Sequence, residues 1–460
     1  MKLDIKELVP FANKTAGNME QTVLEGISKD TRLKSKNALY LPIAGERFDG
    51  HEFLFDAIKQ GCTATVWQEG IDLPAGLPED FPVLYTSDTI GFLQRISKFY
   101  LKKINPIVVA VTGSNGKTTT KDMVESVSST TFKTFKTQGN YNNHIGLPLT
   151  ILSMEEGTEV LILEMGMSNF NEISLLSKLA EPDAAIVTNI GESHLEQLGS
   201  REGIAKAKLE IADGLKTGGL LIIDGDEPLL SHVKGENVLK VGFGDTSTLR
   251  LVDMQTDQEG VSFSLEEGTT VYKIPMLGKH NIKNAAYAIA VGHYLNIEEN
   301  KIKEGLERLK VTPMRLEMVK GKKGSLLIND AYNASPTSMI AALSTLADLH
   351  DFSTKAAVLG DMGELGPNEE EMHRSIAKHI KDNITHVIAV GQKGAWIADE
   401  LEKQNTKDIK VVHCLTKEDA AAPIQELLSD RTAILFKASR YMALETLVST
   451  FIEDEQESKK

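Results

Sequence analysis

IVVAVTGSNGKTTTK, residues 107–121, decides how this 460-residue chain is read. The apolar run 107–111 suits a strand buried on both faces. Gly113 and Gly116 then punctuate a turn, and KTTTK opens a helical stretch. Strand, glycine turn and helix start in that order aim backbone N–H groups at an anion beside the helix N-terminus. The segment therefore reads as a phosphate cradle made of Gly113, Ser114, Asn115, Gly116, Lys117, Thr118 and Thr119. Lys117 is expected to reach the outer phosphates of ATP, and Thr118 to bind Mg²⁺ through its hydroxyl. The full pattern has glycine five residues before Gly116, where this chain has Val111, so the loop is a shortened variant. The competing reading, an ordinary βα turn that happens to contain Gly-Lys-Thr, is disfavoured by that context.

Outward from the loop the same rhythm continues. VLILEMG (160–166), AAIVTNIG (184–191) and LLIID (220–224) are continuous apolar runs separated by helical stretches, the pattern of a parallel sheet covered on both faces. After Thr312-Pro313 a second cycle follows: LLIND (326–330), AAVLGD (356–361), HVIAVG (386–391), KVVHC (410–414) and AILFKAS (433–439). Ser335-Pro336 reads as an N-cap with proline at the first helical position, and Ile340, Leu343 and Ala347 give that helix an apolar face. Ahead of the loop, NALYLPIA (37–44), TATVWQ (63–68) and FPVLYT (81–86) make a smaller α/β unit. The expected fold is α/β in three domains: a small N-terminal α/β domain (1–104), a central phosphate-loop ATPase domain with a mostly parallel sheet (105–313), and a Rossmann-like doubly wound C-terminal domain (314–460). There is no internal repeat, and the charged tail EDEQESKK (453–460) is expected to fray.

Composition narrows the function. With 41% hydrophobic and 25% charged residues the chain is globular, and its length suits roughly three domains. A net charge of −15 argues against a nucleic-acid or anionic-membrane coat, so an anionic ligand must meet locally placed positive charge. Two cysteines, Cys62 and Cys414, support neither a disulfide framework nor a thiolate metal site and suit a reducing cytoplasm. The charged start MKLDIKELVPFANK does not read as a signal peptide, and no run approaches the apolar length of a membrane span. A cytoplasmic monomer without membrane insertion is expected.

Glu164 ends one buried strand and His194 follows another. In a parallel sheet both fall at the C-terminal edge with the phosphate loop, where a carboxylate and an imidazole can converge on a metal beside ATP. Either one alone would read as a structural or solvated group; their shared edge favours function.

TGSNGKTTTK, GNYNNHIGLPLT (139–150), EMGM (164–167), TNIGESHLE (188–196), GIAKAKLEI (203–211) and LGKHNIKNA (277–285) together resemble the Mur ligases, ATP-dependent amide-forming enzymes of peptidoglycan synthesis. NDAYNASPTSM (329–339) and GDMGELG (360–366) resemble the member that adds D-alanyl-D-alanine to a UDP-N-acetylmuramoyl tripeptide, making the pentapeptide precursor through an acyl phosphate. The resemblance implies that 1–104 binds the uridine diphosphate end through DTR (30–32) and GERFDGHEF (45–53), with Thr31, where the family often has serine, and Arg32, Asp49, Gly50 and His51 as contacts. It implies that Asn140, Asn142, Asn143, Asn333 and Ser335 serve substrate binding. His280, Asn281 and Asn284 are placed near adenine, Asp330 near ribose and Arg315 near the transferred phosphate. KASR (437–440) stands where the family commonly has KGSR.

Lys208 is implied to be carbamylated, joining Thr118, Glu164 and His194 around two Mg²⁺ ions. The helix adds support, because Ile204, Ile211, Ala212 and Leu215 share its face and a desolvated amine can capture CO₂; the residues alone favour a lysine that snorkels to the surface or stays an ammonium paired with a substrate carboxylate. Lys206 points to the opposite face and is expected to pair with Glu202 or Glu210. Lys117, Glu164, His194, Lys208 and Arg315 thus form the expected catalytic set. Two other readings are a related ligase that adds a single amino acid, as folylpolyglutamate synthetases do, and a nucleotide-driven switch. GDMGELG and NDAYNASP argue against the first, and the N-terminal motifs argue against the second.

Overall fold

A computed structural model describes residues 1–453 apart from Gln21, Glu46, Arg47, Gln258 and 405–407. Part of the motif at 45–53, and nearly all of the charged tail, lie outside the described residues.

The strand Ile107–Thr112 lies inside a mixed sheet. On one side it pairs in parallel with Val160–Glu164, which pairs with Thr134–Lys136. On the other, parallel pairing runs through Ala184–Val187, Leu220–Asp224, Val238–Gly242 and Leu249–Asp257. An antiparallel extension, Gly260–Leu265 and Val271–Ile274, completes the sheet. Alternation places Val108, Ala110, Leu161, Leu163, Ala185 and Val187 in one core and Val109, Val111, Val160, Ile162, Ala184 and Ile186 in another. Each such buried side chain contributes about 1.5–3 kcal/mol, which is why these runs carry no polar alternation.

The second sheet has the order Glu317–Lys320, Leu326–Asn329, Thr432–Lys437, Thr354–Leu359, His386–Val390, Lys410–Cys414, parallel except at its first strand. It too is covered on both faces, with Ile328, Ala357, Leu359 and Leu435 in one core and Leu327, Val358, Ile434 and Phe436 in the other. The helix Pro336–Ala347 starts as expected: Ser335 and Ser338 form a reciprocal capping box with Pro336 behind it.

The N-terminal sheet has the order Lys14–Ala16, Val83–Thr86, Cys62–Gln68, Ala38–Tyr40, Gly26–Ser28. Its helix Thr89–Ile104 contributes Phe92, Ile96 and Tyr100 to the same core as Leu147 and Leu161 of the central region. Tyr100 Oη seals that contact by donating to the Met154 carbonyl at 3.0 Å. Cys62 and Cys414 are buried free thiols. Among the described residues no helix is long and apolar enough to cross a membrane.

Some strands escaped the hydrophobic pattern. Thr134–Lys136 is only three residues long, and Leu249–Asp257 is exposed beyond its first four residues. The segments TNIG and Met165-Gly166, read as strand ends, are loops beyond the sheet edge, while Glu164 is the last residue of its strand.

Candidate active site

The phosphate loop is held by the loop that follows the neighbouring strand. Ser114 Oγ accepts the Gly191 N–H at 2.8 Å, Asn189 Oδ1 accepts the Asn115 N–H at 3.0 Å, and Thr188 Oγ1 donates to the Asn115 carbonyl at 2.6 Å. Two glycines are required for this packing. A Cβ on Gly113 (φ +150°) would sit 1.8 Å from Thr188 Oγ1, and one on Gly116 (φ +80°) would sit 2.8 Å from Asn284 Oδ1. Helix Lys117–Ser128 starts directly after Gly116, so the loop N–H groups and the helix N-terminus share one mouth.

That mouth opens into a cavity of about 510 Å³ lined from both sheets. The central region supplies Ser114, Asn115, Gly116, Lys117, Thr119, Asn142, Glu164, His280, Asn281 and Asn284; across from them stand Arg315, Asp330, Asn333 and Lys437. Lys117 Nζ donates to the carbonyls of Gly113 (2.7 Å) and Ser114 (3.3 Å). Thr118 Oγ1 donates to Glu164 Oε2 at 3.0 Å and accepts from Arg315 Nη2 at 3.2 Å, while Asn142 Nδ2 donates to Glu164 Oε1 at 3.0 Å. The Arg315 guanidinium lies 4.1 Å over the Tyr332 ring, and its Nε is buried without a hydrogen-bond partner. Asn115 Nδ2 is orphaned in the same way. Buried donors without acceptors at the edge of a phosphate loop are a fit for an anionic ligand.

The electrostatics agree. Burial lowers the Lys117 ammonium from its ordinary value, with Glu164 opposing and Arg315 adding to the effect. Burial, then Lys117, lowers Lys208 well below the usual lysine range. Burial and then the ammonium groups of Lys208 and Lys117 push His194 down to about 4, so its imidazole is neutral. Lys117 and Arg315 bring basic groups to the loop in a chain of net charge −15, and Glu164, Asp224, Asp226 and Glu227 line the same cavity. Lys208 is buried on the helix Arg201–Leu209 beside Ile204, and its Nζ has no hydrogen-bond or ion-pair partner among the described residues. The helix tightens into a 3-10 turn at Glu210–Gly214, so only the first part of the expected apolar stripe is α-helical.

Lys206 does not pair as expected. Its ammonium lies over the Phe170 ring at 5.9 Å, and the Glu210 carboxylate instead accepts the backbone N–H groups of Asn171 and Ser174. Lys206 follows the surface that Phe170 offers, a long-range neighbour that no helical spacing reveals.

Several expected binding residues spend their side chains on structure. Asn281 Nδ2 donates to the Leu277 carbonyl, Asn284 Nδ2 to Asn281 Oδ1, and Thr120 Oγ1 to Asn284 Oδ1, so this pair braces the loop helix while also lining the cavity. His280, half-buried and also on the lining, is pushed down to about 4 by desolvation. Asn143 caps the helix Gly146–Ser153, accepting the Gly146 N–H at 2.8 Å; Ser335 caps its own helix; Asn333 Oδ1 accepts the Ala334 N–H; and Asn140 is exposed on the loop before them. Asp330 pairs with Lys437 at 2.6 Å and accepts the Leu316 N–H at 3.2 Å. In KASR, Ala438 packs where a Cβ on Gly360 would lie 2.7 Å from its own, and Ser439 Oγ accepts the Gly363 N–H at 2.8 Å.

The N-terminal set stands apart from the cavity lining. Arg32, on an exposed turn beside Thr31, grips Asp30 with two hydrogen bonds at 2.8 and 2.6 Å, and that guanidinium holds the Asp30 carboxyl down to about 2. Asp49 caps the turn Gly50–Phe53 and meets His51 Nδ1 at 2.5 Å; the His51 ring stands edge-on to Trp67, with Nε2 buried and unpartnered. The Gly50 carbonyl accepts from Tyr40 Oη at 2.7 Å.

The cavity also contains residues the sequence reading passed over. Lys283 Nζ bridges Asp224 (2.7 Å) and Asp226 (3.1 Å), and Arg201 donates to Glu227 at 2.9 Å. Asp224 ends the strand Leu220–Asp224, so the edge argument that singled out Glu164 applies equally to it.

Comparison with known proteins agrees with this architecture. Residues 111–292 match the Mur ligase middle domain, and 314–440 match the Mur ligase, glutamate ligase domain. The chain is 46% identical over 456 residues to the UDP-N-acetylmuramoyl-tripeptide--D-alanyl-D-alanine ligase of Bacillus subtilis (strain 168), covering 98% of this chain and 99% of that one. It superposes on a crystal structure of MurF from Acinetobacter baumannii with a TM-score of 0.87 at 28% identity, covering 98% of each chain. MurF ligase from Thermotoga maritima in complex with ADP gives a TM-score of 0.81 at 27% identity, covering 93% of this chain and 96% of that one. Phosphate loop, converging cavity and full-length likeness lead to one statement: this chain belongs to the Mur ligase family.

Proposed function

We propose that the chain is an ATP-dependent ligase that joins D-alanyl-D-alanine to a UDP-N-acetylmuramoyl tripeptide through an acyl phosphate, acting as a cytoplasmic monomer. The observation that carries the reading is the convergence of Lys117, Glu164 and Arg315 on one cavity walled by both large sheets, in a chain with full-length relatives of that name. Residues 1–104 hold the uridine diphosphate end, with Thr31, Arg32, Asp49, Gly50 and His51 on its motifs. Residues 105–313 hold ATP, and 314–460 close over it.

In the first step a peptide carboxylate oxygen bonds to the γ-phosphorus while the bond from that phosphorus to the β,γ-bridging oxygen breaks, releasing ADP. The dipeptide amine then attacks the acyl carbon, loses its proton, and the tetrahedral intermediate expels phosphate as the amide forms. The first step brings two anions together, so charge neutralisation dominates its barrier. Lys117 Nζ exchanges its loop carbonyls for the outer phosphates. Arg315, with an unpartnered Nε, answers charge on the transferred group. Asn281, Asn284 and His280 flank the adenosine, with Asp330 toward its ribose, and Asn140, Asn142, Asn143, Asn333 and Ser335 shape the substrate path. The cavity spans two sheets, so closure excludes water from the acyl phosphate.

Thr118 and Glu164 would offer hard oxygens to Mg²⁺, and His194, whose Nδ1 lies 3.8 Å from Glu364 Oε2, would add an imidazole nitrogen. Among the described residues no group of three His, Cys, Asp or Glu side chains is placed to hold a metal, which suits an ion that keeps waters and takes phosphate oxygens. A carbamate on Lys208 supplies the second anion this cationic corner lacks. When bound, two Mg²⁺ ions neutralise the phosphates and the carboxylate.

The test is phosphate release measured with the lysine and diaminopimelate forms of the tripeptide and a series of amine acceptors. Release is expected only with a tripeptide and D-alanyl-D-alanine together, and Lys117→Ala is expected to lower turnover by about 10²–10³-fold. Equal release without either substrate would sink the reading.

A further inference from the structure

The phosphate-loop helix Lys117–Ser128 carries Thr118 and Asp122 four residues apart, one above the other on a single face. Both touch the segment that joins the two large sheets. Arg315 Nη2 donates to Thr118 Oγ1 at 3.2 Å, and Thr312 Oγ1 donates to Asp122 Oδ2. The linker therefore runs back along the helix with two grips about one turn apart.

Asp122 is a prepared anchor. It is nearly fully buried, Lys136 Nζ donates to its Oδ1 at 2.9 Å, and Lys121 Nζ stands 3.8 Å from the same oxygen. Lys121 in turn lies 3.7 Å from Glu164 Oε2, so the anchor and the site share one buried charge network.

The chain around Arg315 is held in a disfavoured conformation. Met314 and Leu316, on either side of it, have φ of +63° and +49°. Residues of this type adopt left-handed backbone only where their surroundings over-determine it. Behind Arg315 the C-terminal region does so: Glu317 accepts the Met314 N–H at 2.9 Å and Asp330 accepts the Leu316 N–H at 3.2 Å. Ahead of Arg315, Thr312 ties the linker to the helix that carries Thr118.

We propose that Thr312 and Asp122 are positioning residues, a latch that sets the linker against the phosphate-loop helix so that Arg315 meets the transferred phosphate. The proposal rests on the reading that Arg315 serves that phosphate. Displacing a catalytic group by about 1 Å can cost 10²-fold, so loss of one hydrogen bond at the latch is expected to reach turnover.

The experiment is a double-mutant cycle on the full chain, read by steady-state phosphate release with all substrates present. Thr312→Val, which keeps the side-chain outline and removes the hydroxyl, is expected to lower kcat about 10-fold with KM for ATP changed less than about twofold. Thr312→Ser is expected to stay within about twofold of the parent, which separates a lost hydroxyl from lost packing. In the Arg315→Ala background, Thr312→Val is expected to add less than about twofold, because the latch acts through Arg315. The proposal is overturned if Thr312→Val leaves kcat unchanged while Arg315→Ala is severe, or if the two losses multiply. Normal turnover in Arg315→Ala would instead remove the reading of Arg315, and the latch with it.

Discussion

Lys117 and Lys437 line the same cavity from opposite sides, and the fold treats them in opposite ways. Lys437, at the end of the strand Thr432–Lys437, is neutralised on the spot by Asp330 at 2.6 Å and also reaches the Asn333 carbonyl. Lys117 rests on carbonyls of its own loop, and nearby Lys208 has no polar partner among the described residues. Lys117 is therefore left for a ligand to complete, whereas Lys437 is matched before any ligand arrives. Burial of unmatched cations is costly, and it is tolerable here because anions are the substrates.

The largest effect should come from breaking the central side of this contrast. Lys208→Ala is expected to lower turnover at least about 10²-fold and to abolish a carbamate signal seen by ¹³C-bicarbonate labelling in the presence of Mg²⁺, since the anion near a cationic site is lost. Lys206→Ala, whose ammonium only covers Phe170, should keep both. Full activity in Lys208→Ala would end the carbamate hypothesis.

An intermediate effect belongs to stability. Lys437→Ala strands a carboxylate beside a buried strand end, and urea unfolding is expected to show a loss of about 3 kcal/mol. Lys117→Ala removes a cation with no carboxylate hydrogen bond and should cost less than about 1 kcal/mol by the same measurement. Equal losses would erase the distinction between the two edges.

The smallest effect is in pH dependence. His280 is pushed down to about 4 by burial, against about 6.5 in an unfolded chain. Between those values the unfolded chain takes up a proton that the folded one refuses. The contribution to stability is therefore complete above pH 6.5 and is lost as pH falls toward 4. His280→Asn should flatten the fall of Tm across that window, and an unchanged slope would show that this imidazole is not protected. His373 is also lowered by burial, its Nε2 accepting the Met362 N–H at 2.9 Å, so the slope should shrink without vanishing.

Legibility followed the range of the interaction. The phosphate loop could be read because strand, glycines and lysine lie within fifteen residues, and the elements it needs are local in the chain. Glu164 could be placed at the cavity because a parallel sheet brings strand ends to one edge. The same reasoning would have reached Asp224, which ends another strand of that sheet. The strands between Val238 and Ile274 were missed because they are short, half-exposed or antiparallel, and carry weak periodicity. Asn143 and Ser335 were read as substrate contacts; their side chains cap helices, a use that polar residues at helix starts commonly serve.

By itself the sequence determined that there are buried parallel strands, a phosphate cradle at 112–121 and a lysine on the face of Ile204, because hydrophobic period and turn chemistry act over a few residues. Only the tertiary structure decided that Lys437 is matched by Asp330 across 107 residues, that Lys206 lies over Phe170, and that Thr312 and Arg315 of the linker grip one helix face. Those partners are set by which strand ends and linkers the packed sheets bring together. Charge pairing over such separations has no period to leave in the chain.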